Sequence, residues 1–334
     1  MTEWNNKLEK KILFNSRLTL TLKIVRVLMI VFFIYCVWMI VISIIVYQFN
    51  FSKENQFYSQ LAVEWQVPNV KGSEIITDEK LSMFGTQTFT YALLKRVGHE
   101  DIVIGEATVT KRLFSLFSNI KYAIPNQRGL SEWNFYLPED PRNNGKLTAN
   151  KDPEVWERLE MLPEGTVGEL TFSSTSFMEP DQLIRLLEEY DVDILWMPLY
   201  TGEFVEYKPR GYSSGGRDLS LSNIIGLTGF RTVSDDFRTS SRTYVLSTES
   251  LASSEQAMLA NMEKLLTKPK IYYEQLLGFD HLPERYKYLK DNGFTVYGAV
   301  VTGPVKELLK LQGATFIQGE KLGEVELWNW NLSK

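Results

Sequence analysis

Residues 27–47 read VLMIVFFIYCVWMIVISIIVY, a run of 21 residues without a charged residue, a glycine or a proline. An α-helix rises about 1.5 Å per residue, so about 20 apolar residues span a hydrocarbon core about 30 Å thick. The apolar region of a signal peptide is shorter, about 7–15 residues, and ends at a cleavage site of small residues. Because QFNFSKENQF follows the run without such a site, a retained transmembrane helix is favoured over a signal peptide.

The charged residues around the run predict its orientation. Six cations and two acids precede it, whereas only Lys53 and Lys71 are basic between the run and Asp78. Positive residues near a membrane helix stay in the cytoplasm. We therefore predict a cytoplasmic basic tail at 1–26, a single-pass helix at 27–47 in the cell membrane, and an extracytoplasmic remainder.

Charge and composition restrict the classes of function. The net charge is −5, of which residues 1–26 contribute +4 and the remainder −9. A basic tail suits an anionic inner leaflet, whereas an acidic outer region argues against nucleic-acid binding. A hydrophobic fraction of 44% supports a folded core. The single cysteine, Cys36, lies within the run, so the outer region has no disulfide, as is common in Gram-positive surface domains.

The tail carries three apolar residues at a helical spacing. Trp4, Leu8 and Ile12 are four residues apart, a spacing that lines one side of a helix. This helix could lie on the bilayer surface, continue into the membrane helix, or dock a cytoplasmic partner.

The pattern beyond the membrane predicts an α+β domain in two parts. The membrane-proximal part, 50–150, leans towards strands, with alternating segments at 84–94 and 101–114. A polar, proline-rich segment at 137–153 predicts a loop or a boundary. The second part, 151–334, is predicted to hold two strand–helix–strand units, at about 167–199 and 295–330. Further helices are predicted at 154–161, at 253–266 with Ser253 and Gln256 as a capping box, and at 284–292, ending at Gly293.

No pattern of catalytic or metal-ligating residues stands out. The two histidines are far apart, the zinc-ligand spacings are absent, and no G-x-S-x-G context occurs. The adjacent acids Glu188/Glu189 and Asp235/Asp236 are typical of solvated surfaces. Thr302 and Pro304 are interpreted as a cap and a first-turn residue of a helix, although free N–H groups at such a start can also hold an anion. We therefore predict a protein that is not an enzyme and has no cofactor.

Three segments of the second part resemble a known family. LPEGTVGELTFS at 162–173 with YDVDILWMPLYT at 190–201, YLKDNGFTVYGAVVTGPVKELLKL at 288–311, and GEVELWNW at 323–330 are similar to successive blocks of the sigma factor regulator family. The membrane helix lies where that family has its N-terminal regulator domain, here about 10–110. The motif residues, interpreted as structural, are Pro163, Glu164, Gly165, Glu169, Trp196, Tyr297, Gly298, Thr302, Gly303, Pro304, Lys306, Glu307, Gly323, Glu324, Glu326, Trp328, Asn329 and Trp330. Trp328 and Trp330 alternate along a predicted strand, so both are expected to pack on one face.

The resemblance implies a membrane-bound anti-sigma factor of the anti-sigma-M type. Such a protein would restrain an extracytoplasmic-function sigma factor, with the outer domain reporting envelope stress and a second membrane protein often taking part. That type has a larger region ahead of its membrane helix, whereas about 26 residues precede the run here. Three hypotheses follow: Trp4, Leu8 and Ile12 form a minimal docking face, the inhibitory part lies on a partner protein, or this homologue kept only the outer sensor. A surface module that binds an envelope polymer or protein without signalling is the rival function.

Overall fold

The N-terminal helix is longer than the apolar run. The computed structural model describes residues 6–48, 51–112, 115, 118–124, 134–150, 152–234 and 237–330. Helix α1 covers Asn6–Gln48 without a break, so the tail continues into the apolar run. Its apolar side chains are nearly all exposed, as lipid contact requires, and within the described residues it is the one helix suited to crossing a membrane.

A second helix follows at once. Helix α2, Phe51–Gln66, lies in the part that we predicted to be strand-leaning. It forms because Phe57, Leu61 and Trp65, each four residues after the last, fall on one face and are all buried in the largest core. The sequence-based expectation missed this helix because polar residues separate its apolar positions.

The first sheet is antiparallel and follows α2. Its strands are β1 Val70–Ile76, β2 Lys80–Leu81, β3 Thr86–Val97, β4 Glu100–Arg112 and β5 Ser118–Ala123. Their order is β1-β3-β4-β5, and β2 pairs with β3. The segment predicted at 84–94 corresponds to β3, which alternates between buried and half-buried residues along its length. The segment predicted at 101–114 corresponds to β4, which alternates from Gly105 to Arg112, and its last two residues lie outside the described residues.

The second sheet contains both predicted strand–helix–strand units. The first is β8 Thr166–Met178, α4 Pro180–Leu187 and β9 Asp193–Tyr200, and the second is β15 Thr295–Pro304, α8 Val305–Lys310 and β16 Ile317–Leu327. With β12, Ile225–Thr228, at one edge, the sheet order β12-β9-β15-β8-β16 is antiparallel throughout. Strand β15 therefore lies between β8 and β9, which interleaves the two units as in split β-α-β folds.

The remaining elements connect and cover these sheets. They are β6 Glu139–Asp140, β7 Gly145–Lys146, α3 Pro153–Met161, β10 Tyr212–Ser214, β11 Leu219–Leu221, β12 Ile225–Thr228, β13 Arg231–Val233, β14 Thr239–Arg242, α5 Thr248–Leu266, α6 Lys270–Leu277 and α7 Leu282–Asn292. Helix α7 ends at Gly293 as predicted. The capping box predicted at Ser253 and Gln256 is wrong, because α5 begins earlier and Ser247 with Ser250 forms the box.

The second sheet is buried on both faces. The helices α2 to α8 cover one face and form the largest core, while Phe135, Trp196, Tyr297 and Val300 belong to a smaller core cluster. The α+β class with a single N-terminal apolar helix is confirmed. The prediction that Trp328 and Trp330 share one buried face is wrong: β16 ends at Leu327, so its alternation stops, and Trp328 is 49% exposed whereas Trp330 is 5% exposed.

Candidate functional site

Motif residues from three distant segments meet where the two sheets contact each other. The turn between β3 and β4, residues 97–100, lies against β8, β15 and the residues after β16. We call this contact the junction, and define it by Asn69, Lys95, Gly98, His99, Glu169, Thr302, Asn329 and Trp330.

Glu169 is the charged centre of the junction. Its side chain is fully buried in β8, and its Oε2 atom lies 2.7 Å from the Lys95 Nζ of β3, which is also buried. The Asn69 amide donates to Glu169 Oε1 at 2.6 Å, and the Glu324 backbone N–H donates to Oε2 at 3.4 Å. Each carboxylate oxygen therefore has a partner, which a buried charge requires.

The charge state of Glu169 is tied to Lys95. Burial raises the pKa of the Glu169 carboxyl, and the Lys95 ammonium, the Asn69 amide and the Glu324 N–H oppose that rise. Removing one partner of a buried pair costs about 3–5 kcal/mol, because the other charge is left without compensation. The pair therefore fixes the first sheet against β8.

Thr302 connects the β3–β4 turn to the second sheet. Its Oγ1 donates to the Gly168 carbonyl at 2.8 Å and accepts the Gly98 N–H at 2.7 Å. Gly98 has a φ of +61°, and a Cβ there would overlap Asn329 Oδ1. Thr302 is thus not the helix cap that we predicted, and Pro304 is the N-cap rather than a first-turn residue, because α8 begins at Val305 and is only six residues long.

Asn329 and Trp330 close the other side of the turn. Asn329 accepts the His99 N–H at 3.1 Å and donates to the Val97 carbonyl at 2.9 Å. Its side-chain amide thus bonds the turn backbone through one donor and one acceptor, as the backbone of a neighbouring strand would. The Trp330 ring stacks on His99 with ring centres 4.1 Å apart, and its Nε1 donates to Asp191 at 3.0 Å. The segment after β16 is thereby fastened to both sheets.

His99 also faces an acid of the second sheet. Its Nε2 lies 3.5 Å from Asp193 Oδ2 at the start of β9. Burial raises the pKa of the Asp193 carboxyl, while His99 and Arg96 oppose that rise.

The other predicted motif residues lie outside the junction. Glu164 and Lys306 form an exposed ion pair at 2.7 Å, and Gly165 accepts the Trp328 N–H at 3.0 Å beside it. Trp196, Tyr297 and Gly298 lie in or against the smaller core cluster. Of the rest, Pro163 precedes β8, Gly303 and Pro304 are the last residues of β15, Glu307 of α8 accepts from Lys310, and Gly323, Glu324 and Glu326 lie along β16.

Four junction residues were missed by the sequence analysis: Asn69, Lys95, Gly98 and His99. The only local signal was the tetrapeptide VGHE between two alternating runs, which is typical of a hairpin turn with glycine at positive φ. No local pattern indicates that Asn69 reaches Glu169, because 100 residues separate them.

A second buried group of charges lies between α2 and the β13–β14 hairpin. Arg242 donates to Glu64 at 2.9 Å, and Arg231 donates to Gln60 at 2.7 Å. Lys71 lies beside them with its Nζ 4.0 Å from the centre of the Tyr244 ring. This group holds α2, the helix that follows α1, against β13 and β14.

The described residues hold no catalytic arrangement that we can identify. Glu188 and Glu189 are exposed, and Asp235/Asp236 lie outside the described residues. Among the described residues, no group of three or more His, Cys, Asp or Glu could hold a metal ion. Two polar clefts of about 270 and 310 Å³ occur, one beside β5 and α6 and one beside α2 and β14. The junction, by contrast, is a structural coupling between the two sheets.

Comparison with known proteins places the chain among regulators. The family model described as "Sigma factor regulator N-terminal" matches residues 10–102, and "Sigma factor regulator C-terminal" matches residues 159–324. The chain is 25% identical over 289 residues to "Probable anti-sigma-M factor YhdL" of Bacillus subtilis (strain 168). The aligned region covers 84% of this chain and 71% of that protein. No solved structure matches the chain.

Proposed function

This chain belongs to the sigma factor regulator family and is an anti-sigma factor-like negative regulator; we propose that the sigma factor it restrains is of the extracytoplasmic-function type. The observation that carries this proposal is the match of the N-terminal family region to residues 10–102, which contain the membrane-length part of α1, followed by the match of the C-terminal region to residues 159–324. A regulator joined to a single membrane helix suits a sigma factor that responds to events outside the cell.

The proposed topology puts the basic tail in the cytoplasm. The cations that precede the apolar run support this orientation, with 1–26 inside, 27–47 in the cell membrane, and 50–150 and 151–334 outside. The outer domain then reports on the envelope, alone or through a second membrane protein. Stress at the envelope of a Gram-positive cell is the proposed stimulus.

The tail offers one helical docking face to the sigma factor. Trp4 lies outside the described residues, whereas Leu8 lies in α1 and Ile12 is 64% exposed in the same helix. A single amphipathic helix can occupy a partner's groove through residues at this spacing. The alternative within the same function is that a partner protein carries the inhibitory surface.

The docking face is tested with one acidic substitution on each side of α1. Ile12→Asp is expected to release the sigma factor and raise sigma-dependent transcription in unstressed cells. Phe14→Asp is the matched control, because it places the same charge about 200° away round the helix and also replaces an exposed apolar residue. Both variants are compared by a transcriptional reporter and by co-purification of the full-length protein with sigma factors.

The outcomes separate the hypotheses. Derepression by Ile12→Asp alone supports the docking face. If neither variant changes sigma-dependent transcription but deletion of the whole protein raises it, the inhibitory surface lies on a partner protein. If deletion leaves transcription unchanged and the protein instead binds envelope material, the chain is a surface-binding module and the regulatory proposal is wrong.

A further inference from the structure

The turn between β2 and β3 hydrogen bonds to the middle of the apolar run. Trp38 Nε1 donates to the Met83 carbonyl at 2.8 Å. Trp38 lies nine residues before the end of the run at Tyr47, which is about 14 Å along an α-helix. The tip of this turn therefore lies below the outer end of the membrane-spanning run.

A stripe of protein contact runs along the same half of α1. Cys36, Met39 and Ile45 are half-buried and Ile42 is 1% exposed, and these four residues recur every third position. Both α2 and the turn contact α1. Part of the outer domain thus covers this stripe.

The rest of the outer half of α1 is apolar and uncovered. Val37, Ile40, Val41 and Ile44 are each more than 40% exposed. A water-exposed helix face of this composition would be a large apolar patch of the kind that soluble surfaces avoid. Lipid must therefore surround this half of α1, on the same level as the turn that contacts Trp38.

The turn itself has the side chains of a membrane-inserted tip. Phe84 is 78% exposed, Met83 is 46% exposed, and Ile75 of the neighbouring β1 is 72% exposed. The nearest charged residues lie at the base of the turn. Lys80, paired with Asp78 at 2.7 Å, precedes Met83 by three residues, or about 10 Å along a strand, and the exposed Arg112 is opposite Thr86, two residues after Phe84. Apolar residues at the tip with charges above them match the change from acyl chains to headgroups.

Several backbone groups of the turn are hydrogen bonded within the protein. Ser82 N–H donates to the Thr86 carbonyl, Gly85 N–H to the Ser82 carbonyl, and Thr86 N–H to the Ser82 hydroxyl, at 2.8, 2.9 and 3.1 Å. Trp38 supplies the donor for Met83. Irregular backbone is tolerated near hydrocarbon only where its polar groups have such partners.

We propose that the β2–β3 tip, Leu81–Ser82–Met83–Phe84, inserts into the bilayer leaflet on the side of the outer domain, next to α1. The partner of this surface is the lipid bilayer itself. This inference requires that α1 spans a membrane and is independent of the orientation of the chain and of any sigma factor.

The test measures the depth of single labelled positions in the full-length protein. The background is Cys36→Ala, which removes the sole cysteine. An environment-sensitive fluorophore is attached in detergent to Phe84→Cys, and the protein is reconstituted into phosphatidylcholine–phosphatidylglycerol vesicles containing lipids spin-labelled near the headgroup or near the chain end. Phe33→Cys, exposed within the apolar run, is the inserted control, and Met161→Cys, exposed in α3, is the control for a surface outside the membrane.

We expect the label at Phe84→Cys to show blue-shifted emission and to lose fluorescence in vesicles with the shallow spin label. The label at Met161→Cys should show neither change. The proposal is overturned if Phe33→Cys is quenched while Phe84→Cys behaves like Met161→Cys. Absence of quenching at Phe33→Cys would show that α1 does not span the bilayer, which overturns the premise and the proposal together but leaves the sigma-factor readout unaffected.

Discussion

Lys71 is a buried cation whose charge responds to pH near neutrality. Burial lowers the pKa of its ammonium to about 7; Arg242 and Arg96 add to the decrease, and Glu64 and Asp101 oppose it. Its Nζ also contacts the Tyr244 carbonyl at 3.4 Å. Because an unfolded lysine titrates near pH 10.4, the unfolded chain binds more protons than the folded one between these two values.

The sign of the resulting pH dependence follows directly. Stability rises with pH wherever the unfolded state binds more protons. We expect Lys71 to contribute a rise in unfolding free energy of up to about 1.4 kcal/mol per pH unit between about pH 7 and 10. Chemical denaturation of the detergent-solubilised full-length protein, followed by tryptophan fluorescence across this range, measures it.

Lys71→Met is expected to flatten that slope, and Lys121→Met, at an exposed lysine of β5, should retain the slope of the unsubstituted protein. If Lys71→Met shows the same slope as the unsubstituted protein, the lysine is charged throughout the range and the expectation fails.

The β3–β4 turn is the element on which the junction depends. Gly98 takes a φ that L-residues adopt at a cost of about 1–2 kcal/mol, and a Cβ there would displace Asn329 from His99 and Val97. Gly98→Ala is therefore expected to lower the free energy of unfolding by this backbone cost and also by the loss of the Asn329 hydrogen bonds, worth about 0.5–1.5 kcal/mol each.

Gly278→Ala separates the two contributions. Gly278 has a φ of +66° at the end of α6, with open space where a Cβ would lie. Denaturation midpoints of the two variants should both fall, with Gly98→Ala falling further. Equal losses would mean that the turn accommodates a side chain without disturbing Asn329.

Elements with a local signal were predictable from the sequence, and contacts between them were not. Strands β9 and β15 were predicted because largely apolar runs lie between turn residues, β8 because apolar and polar residues mix in TVGELTFS after a turn, and α7 because Gly293 ends it. Helix α2 was missed because only its buried face is apolar. The interleaving of β15 between β8 and β9, and the Thr302–Gly98 bond across 204 residues, depend on long-range pairing that no local period encodes.

The candidate site was predictable in part for the same reason. The resemblance identified Glu169, Thr302 and Asn329 as motif residues, but their common partner is the first sheet, where no motif had been recognised. Motif residues were interpreted as structural within one domain, whereas several of them join that domain to the membrane-proximal sheet. Hydropathy does not predict the buried Lys95–Glu169 pair, because it assigns charged residues in a strand to the exposed face.

At the scale of the whole molecule, a continuous set of contacts leads from the second sheet to α1. The segment after β16 holds the β3–β4 turn, β3 pairs with β1 and β2, and the β2–β3 turn contacts Trp38 of α1. A regulatory signal requires an element with two arrangements that both ends bias. The junction is the step of this path that joins the two sheets, and on the regulatory function proposed above its loss is expected to change repression.

Asn329→Ala tests this coupling in cells. It removes both bonds to the β3–β4 turn while leaving the tail and α1 unchanged, so a junction that holds the repressing arrangement should be weakened. Coupling energies of about 1–3 kcal/mol correspond to changes of about 5- to 150-fold, and we expect sigma-dependent transcription in unstressed cells to rise by at least the lower of these factors.

Trp328→Ala is the control, because Trp328 precedes Asn329, its side chain is half-exposed, and its backbone N–H bond to Gly165 is retained. Membrane levels of both variants are compared by immunoblotting, since loss of the regulator would also derepress. Equal reporter output from the two variants at equal levels would show that the junction stabilises the outer domain without transmitting its state to the membrane helix.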